Sequence, residues 1–229
     1  LADFAAGNDE STQAFQEELP YGRNRRALEA YCETRFSDCL IVRLPALFGP
    51  GLRKNFIFDL MNPLPSMLAP ARLESLTGLL PASLRDAMAR LYAPDPNGMC
   101  SIDRDALNKD SCRRDLEEAV RAVKMSATQF HNPDTTYQYY DLANLWQDME
   151  IAAKFELRHV HLATEPLRAG DIHARLLGSD MPSSDARLHR EDMHTRHASL
   201  WGREGPYLED AATVLDRLNS FFISQRRTA

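Results

Sequence analysis

The sequence predicts an α/β protein, specifically the C-terminal part of a larger layered domain built on a parallel sheet. Three patterns lead there. Leu28, Tyr31, Cys32 and Phe36 recur at i, i+3, i+4 and i+8, one apolar stripe on a helix over 22–36. Directly behind it, "CLIVRLPALFGPG" supplies a short apolar strand over 40–44, which Pro45 interrupts and Gly49, Pro50 and Gly51 close as a turn. A helix followed at once by a buried strand is half of a parallel α/β unit. Near the other end, "TYQYYDLANLWQDMEIAAKF" and "RHVHLATEP" run strand, helix, strand.

The remaining elements follow in order. Residues 1–18, "LADFAAGNDESTQAFQEE", carry no periodicity and read as a cut end, and 1–62 as a whole as the tail of the layered domain. "KNFIFDLMN" predicts a short helix. From 63 to 132 the pattern changes to short helices broken by prolines, "PARLESLTGLL", "PASLRDAMARLY" and "SCRRDLEEAVRAV", a helical insert. Ser111 is the expected N-cap of the last, with Asp115 and Glu118 in its first turns favouring the helix dipole. "PDPNG" and "MCSID" between them suggest a small hairpin. Residues 133–229 predict a mixed α/β part. Its first helix places Leu142, Leu145, Trp146, Met149 and Ala153 on one face, a second ends at Gly178, and "YLEDAATVLDRLNSFFISQ" forms the last.

Composition narrows the function. With 229 residues and 44% hydrophobic side chains the chain can bury a substantial core. No apolar run approaches a membrane span and no signal segment opens it, so the expectation is a soluble, cytoplasmic protein. A net charge of −6 without a long basic cluster argues against nucleic acid. Cys32, Cys39, Cys100 and Cys112 have no CxxC spacing and read as reduced thiols. Small-molecule chemistry or protein contacts remain.

"LPYGRNRRALEAYC" carries the strongest chemical signal. Tyr21 and Arg25 stand four apart at a helix entrance, and so on one side of it. A cation there favours the phenolate, and a tyrosine so tuned can pass a proton to or from a substrate oxygen while a hydride moves at the same carbon. The plain alternative is an aromatic residue at a helix start. With the segments that follow it, this stretch resembles the extended short-chain dehydrogenase/reductases, or NAD-dependent epimerase/dehydratases, whose signature is Tyr-x-x-x-Lys. "CLIVRLPALFGPG", "KNFI" and the strand, helix and returning strand from "TYQYYD", with Asp141 at the helix start, keep the family's order outside the insert.

The resemblance implies the C-terminal portion of a Rossmann-like protein, with chemistry at a hydroxyl or carbonyl carbon, its substrate a nucleotide sugar and its cofactor NAD or NADP. It makes Tyr21 the acid/base, Arg25 its cationic partner and ribose contact, Pro45, Ala46 and Leu47 the loop beside the nicotinamide, and Lys54 and Asn55 substrate contacts. It also gives part of the Tyr21 helix to a homodimer interface, whereas the stripe read alone could simply face the sheet. Two features depart from the family. Arg25 stands where it has lysine, and guanidinium is bulkier than ammonium. Its glycine-rich strand-turn-helix, which takes the pyrophosphate, has no counterpart in these residues, so the chain by itself is expected to bind NAD(P) weakly or not at all. Arg25 in place of lysine motivates a rival reading, a non-catalytic member that binds a dinucleotide or a partner.

Other candidates have ordinary explanations beside the functional ones. Lys54 and Asn55 open a helix after a glycine-containing loop, suited to a phosphate or hydroxyl but also plain helix-entry polarity. His159 and His161 alternate along a strand, and His189, His194 and His197 crowd a polar loop, yet no cysteine or paired carboxylate completes a metal set. Trp201 and Tyr207 could cap a substrate pocket or pack the final helix.

Overall fold

Short strands and helices alternate in a computed structural model that describes residues 7–13, 15 and 18–228. The described chain forms two units. One takes the residues up to Leu52, 133–181 and those from Leu188 on; the other takes 53–132 and 182–187. The architecture is mixed α/β, with four small sheets among the described residues, two parallel and two antiparallel.

The first unit opens with α1 (Pro20–Arg35), β1 (Ile41–Arg43) and β2 (Ala46–Phe48). Proline at the first helical turn suits α1, because its missing N–H would have no partner there. The second strand corrects the expectation of a loop after Pro45. Proline has no N–H to give a ladder, so the pairing breaks at Leu44–Pro45 and resumes at Ala46, whose N–H donates to Gln138.

The second unit holds α2 (Phe56–Met61), β3 (Met67–Leu68), α3 (Pro70–Leu79), α4 (Ala82–Leu91), β4 (Tyr92–Pro94), β5 (Cys100–Ile102), α5 (Arg104–Lys109) and α6 (Arg113–Ala122). β4 and β5 form the hairpin that "PDPNG" suggested, and β3 adds to its β5 edge. Asp95 sets the turn: its carboxylate accepts from Asn97 and Met99 N–H at 2.8 and 3.1 Å and from the Ser101 hydroxyl at 3.1 Å, while Gly98 supplies a φ of 76°. The helices close one core of Leu68, Leu76, Leu84, Met88, Leu107, Leu116 and Val120. Ser111 does not cap α6. Cys112 holds the cap position without a side-chain bond, and the Asp110 carboxylate takes the Cys112 N–H at 2.8 Å.

Back in the first unit come β6 (Thr136–Tyr137), β7 (Tyr139–Asp141), α7 (Leu145–Lys154), β8 (His159–His161), β9 (Leu167–Arg168), α8 (Ala169–Leu177) and α9 (Ala211–Thr228). β1 runs parallel to β8 with Val42 opposite Val160, and β2 parallel to β7 with Leu47 opposite Tyr140. Strand alternation separates the two sides of β1–β8. Arg43 and His159 point to α1, bonding Glu29 and Glu33. Val42 and Val160 point the other way, into a cluster with Ala152 of α7, Tyr140 and Leu162. The result is three layers, α1 over the strands and α7 beneath.

Neither helix buries its whole apolar stripe, although Leu145 of α7 packs against the Val160 cluster. α1 has no buried residue, and Leu28, Tyr31 and Phe36 are exposed. On α7 the buried residues are Asp148 and Ala152, whereas Trp146 is 72% exposed and Leu142 and Met149 are also open. Among the described residues no strand pairs the other edge of β1, and no helix is long and apolar enough to cross a membrane.

Candidate functional site

A cleft of about 640 Å³ lies along α1 and β1, lined among others by Tyr21, Arg25, Cys32, Arg43, Pro45 and Leu47. One helical turn separates Tyr21 from Arg25, and the Arg25 guanidinium carbon sits 5.3 Å from the centre of the Tyr21 ring. The Tyr21 side chain is 73% exposed, and its hydroxyl makes no hydrogen bond among the described residues. A free phenol beside a cation at an open cleft can exchange a proton with a substrate oxygen. Pro45 and Leu47 reach the cleft. Ala46 does not line it, as strand alternation on β2 requires.

Polar groups, not the apolar stripe, fasten α1 to the strands. Arg43 meets Glu29 through two parallel bonds of 2.9 and 2.7 Å, a charge-assisted fork. Arg26 adds a 3.2 Å contact to Glu29, and His159 bonds Glu33 at 2.5 Å. Burial pushes the Glu29 carboxyl up, but the bonds and charge of Arg43, then of Arg26, hold it below the ordinary carboxylate range. The third Arg43 nitrogen meets Nε2 of the fully buried His161 at 3.0 Å, and His161 Nδ1 lies 2.9 Å from the His194 carbonyl. Arginine only donates, so Nε2 accepts and Nδ1 carries the proton: His161 is neutral. Burial lowers its pKa, against the pull of Glu10.

Glu10 completes this corner. Its buried carboxylate accepts from the His161 N–H at 2.7 Å, the Thr195 hydroxyl at 2.6 Å and the Arg196 N–H at 3.0 Å. Burial alone would raise its pKa, and these three bonds more than reverse that.

Lys54 and Asn55 belong to the second unit. Lys54 is exposed. Asn55 caps α2, its side-chain oxygen accepting from the Phe58 N–H at 3.1 Å, with φ 152° and ψ −175°, a region populated almost only by glycine and strained by about 1–3 kcal/mol for other residues. Asp141 accepts from the Ala143 N–H at 2.9 Å and starts the turn into α7. Trp201 donates its indole N–H to Asp148 at 2.8 Å, and the Tyr207 hydroxyl donates to Asp192 at 2.5 Å while its ring stands edge-on to His194. His189 pairs with Glu191, and His194 with Asp192. Among the described residues no group of three or more metal-ligating side chains is gathered.

Comparison with family models, with curated proteins and with solved structures gives no match. Geometry therefore carries the functional reading alone. Residue spacing did not point to the Glu29–Arg43–His161 clamp, whose members lie 14 and 118 positions apart. The one local signal is Glu29 at i+3 from Arg26 and Glu33 four further on, a charged face on the helix.

Proposed function

We propose that this chain forms the catalytic-helix half of an NAD(P)-dependent protein similar to the extended short-chain dehydrogenase/reductases, acting as an epimerase, dehydratase or reductase at a hydroxyl or carbonyl carbon of a nucleotide sugar. The observation that carries the reading is the Tyr21–Arg25 pair in one cleft with Pro45 and Leu47. The layering supports it. Parallel sheets are covered on both faces, and here α1 and α7 flank β1–β8 with apolar stripes turned outward while β1 has an open edge among the described residues. A strand-turn-helix half laid along β1 continues the sheet and gives those stripes something to bury against.

In this reading the Tyr21 hydroxyl moves a proton at the substrate oxygen, with the Arg25 guanidinium beside its ring. Arg43, fixed by Glu29 and His161, holds the floor of the cleft through β1. A bound nicotinamide would supply the hydride acceptor. Arg25, Pro45 and Leu47 fit its ribose–nicotinamide end. The pyrophosphate has no seat on the described residues: α1 opens at Leu19–Pro20 with no side-chain cap and no glycine-rich turn before it. The 229 residues alone are therefore expected to bind NAD(P) far more weakly than the protein carrying both halves.

The test uses the protein that carries both halves, assayed with nucleotide sugars. Tyr21→Phe is expected to lower kcat by about a hundredfold or more while leaving cofactor affinity unchanged, Arg25→Lys to keep activity, and Arg25→Met to lower it. Undiminished turnover in Tyr21→Phe ends the reading. A second reading, binding without turnover, draws on the placement of the Arg25 guanidinium over the face of the ring. It expects no turnover in any variant and a loss of binding only at Arg25.

A further inference from the structure

Away from the Tyr21 cleft, the first unit contains a second cavity of about 310 Å³ between α7, the Ala198–Trp201 turn and α9. Its floor is Asp148, 9% exposed. One carboxylate oxygen accepts from the Tyr140 hydroxyl at 2.5 Å and the other from the Trp201 indole N–H at 2.8 Å. A buried carboxylate costs stability that an apolar residue would not, so its presence at a cavity floor calls for a use. The wall carries Glu209, whose Oε1 takes the Arg217 guanidinium at 2.9 Å and the Asn144 amide at 3.5 Å. Burial, with Asp148 and Asp141 behind it, pushes the Glu209 carboxyl up against the opposing pull of Arg217.

Three polar groups line this cavity without a hydrogen bond inside the fold, two of them, Arg203 and Gln147, on exposed residues, with Arg203 acting on Glu209 by charge. No hydrogen bond within the described residues reaches Glu209 Oε2, the Arg203 guanidinium or the Gln147 carboxamide. Open acceptor and open donors thus share one space with an indole. We propose that this cavity binds a neutral monosaccharide as a single ring. Two carboxylates and two guanidiniums line it, so the charges balance and favour a ligand with none. A sugar hydroxyl donates and accepts at once, which suits carboxylate oxygens set beside guanidinium and carboxamide N–H groups, while the C–H face of the ring lies on Trp201. The cavity's size suits a small ligand. The cavity stands at the bottom of the range of about 300–1,000 Å³ for small-molecule sites, and a nucleotide sugar belongs to the 640 Å³ cleft instead.

The chain has two tryptophans, and the other, Trp146, is exposed on α7. Trp146→Phe leaves Trp201 as the sole indole reporter. In that background the protein is titrated with glucose, galactose, mannose and xylose, with glycerol as a polyol control and glycine and ethanolamine as charged ones. A saturable change in Trp201 fluorescence is expected for at least one sugar, half-complete at about millimolar concentration. Arg203→Ala and Glu209→Gln, with circular dichroism matching the parent, are expected to weaken it about tenfold or more. The proposal is overturned by a response that stays linear and is shared with glycerol, by saturation unchanged in both variants, or by saturation with glycine or ethanolamine and no sugar. Turnover at Tyr21 has no bearing on any of these outcomes.

Discussion

α1 and α6 are both amphipathic in sequence, yet they use their apolar faces in opposite ways. On α6, Leu116 and Val120 are buried in the core of the second unit, and its arginines and carboxylates face water. On α1, Leu28, Tyr31 and Phe36 face outward, and the strands are met by Glu29, Glu33 and Arg26. The hydrophobic stripe states which face is to be buried; it does not state against what. In the second unit the burying surface lies within the same stretch of chain. For α1 the described residues offer none.

The largest effect expected from this contrast is on core truncation. Leu116→Ala should cost about 3–4 kcal/mol, since a fully buried leucine loses its transfer energy and leaves a cavity. Leu28→Ala, the corresponding change on α1, should stay within about 0.5 kcal/mol. Urea unfolding of both variants measures the difference, and equal losses would mean that α1 is packed through its stripe after all.

Next in size is the polar clamp. Arg43→Met leaves Glu29 half-buried without its fork and His161 Nε2 without its donor. The pair keeps 15% and 19% side-chain exposure, so the expected cost, about 2 kcal/mol, falls below that of breaking a wholly buried pair. Restoring a cation with Arg43→Lys should recover less than half, because an ammonium cannot reproduce two parallel bonds. If Arg43→Met unfolds at the same urea concentration as the parent, the clamp is not what holds α1.

These contrasts also mark what was legible in the sequence. The α/β class, the break at Pro45, the hairpin at "PDPNG" and the short helices between prolines were all readable, because each depends on local chemistry. The second strand after Pro45 was not: a three-residue strand has no periodicity of its own and is made by its partner β7, 93 positions on. What the α1 and α7 stripes face was not legible for a different reason, since burial is settled by neighbours and not by spacing. Within the candidate site, the four-residue spacing puts Tyr21 and Arg25 on one side of α1, while their roles, and those of Pro45 and Leu47 in the same cleft, came from the resemblance and not from the spacing. The Asp148–Tyr140–Trp201 cluster stayed hidden because Asp148 occupies an inward helical position where a polar residue reads as solvent-facing.

The smallest expected effect is a dependence of stability on pH that belongs to one side of the comparison, since the His161 corner is in the first unit. His161 is neutral, with Nε2 accepting from Arg43. A proton there removes the bond and sets two cations against each other, although Glu10 and Asp9 lie near enough to favour the charged ring. Burial wins, and the folded pKa lies below the ordinary 6.5. A depressed folded value means that the unfolded chain binds the proton first. His161 therefore contributes stability that is fully present above pH 6.5 and is lost as pH falls toward its folded value. Glu10 and Glu29 are held below 4.5, so their own loss begins lower, and Glu209, whose carboxyl is pushed up, is common to the parent and to a variant at position 161, so between 6.5 and about 5 the gap between those two reports the histidine. His161→Gln removes the titration and keeps an oxygen that can accept from Arg43. The gap between the urea midpoints of the parent and this variant should narrow steadily across that window, the parent losing stability while the variant does not. A gap constant from pH 7.5 to 5 would show that His161 takes up its proton without disturbing Arg43, and the bond between them would then have no part in holding α1.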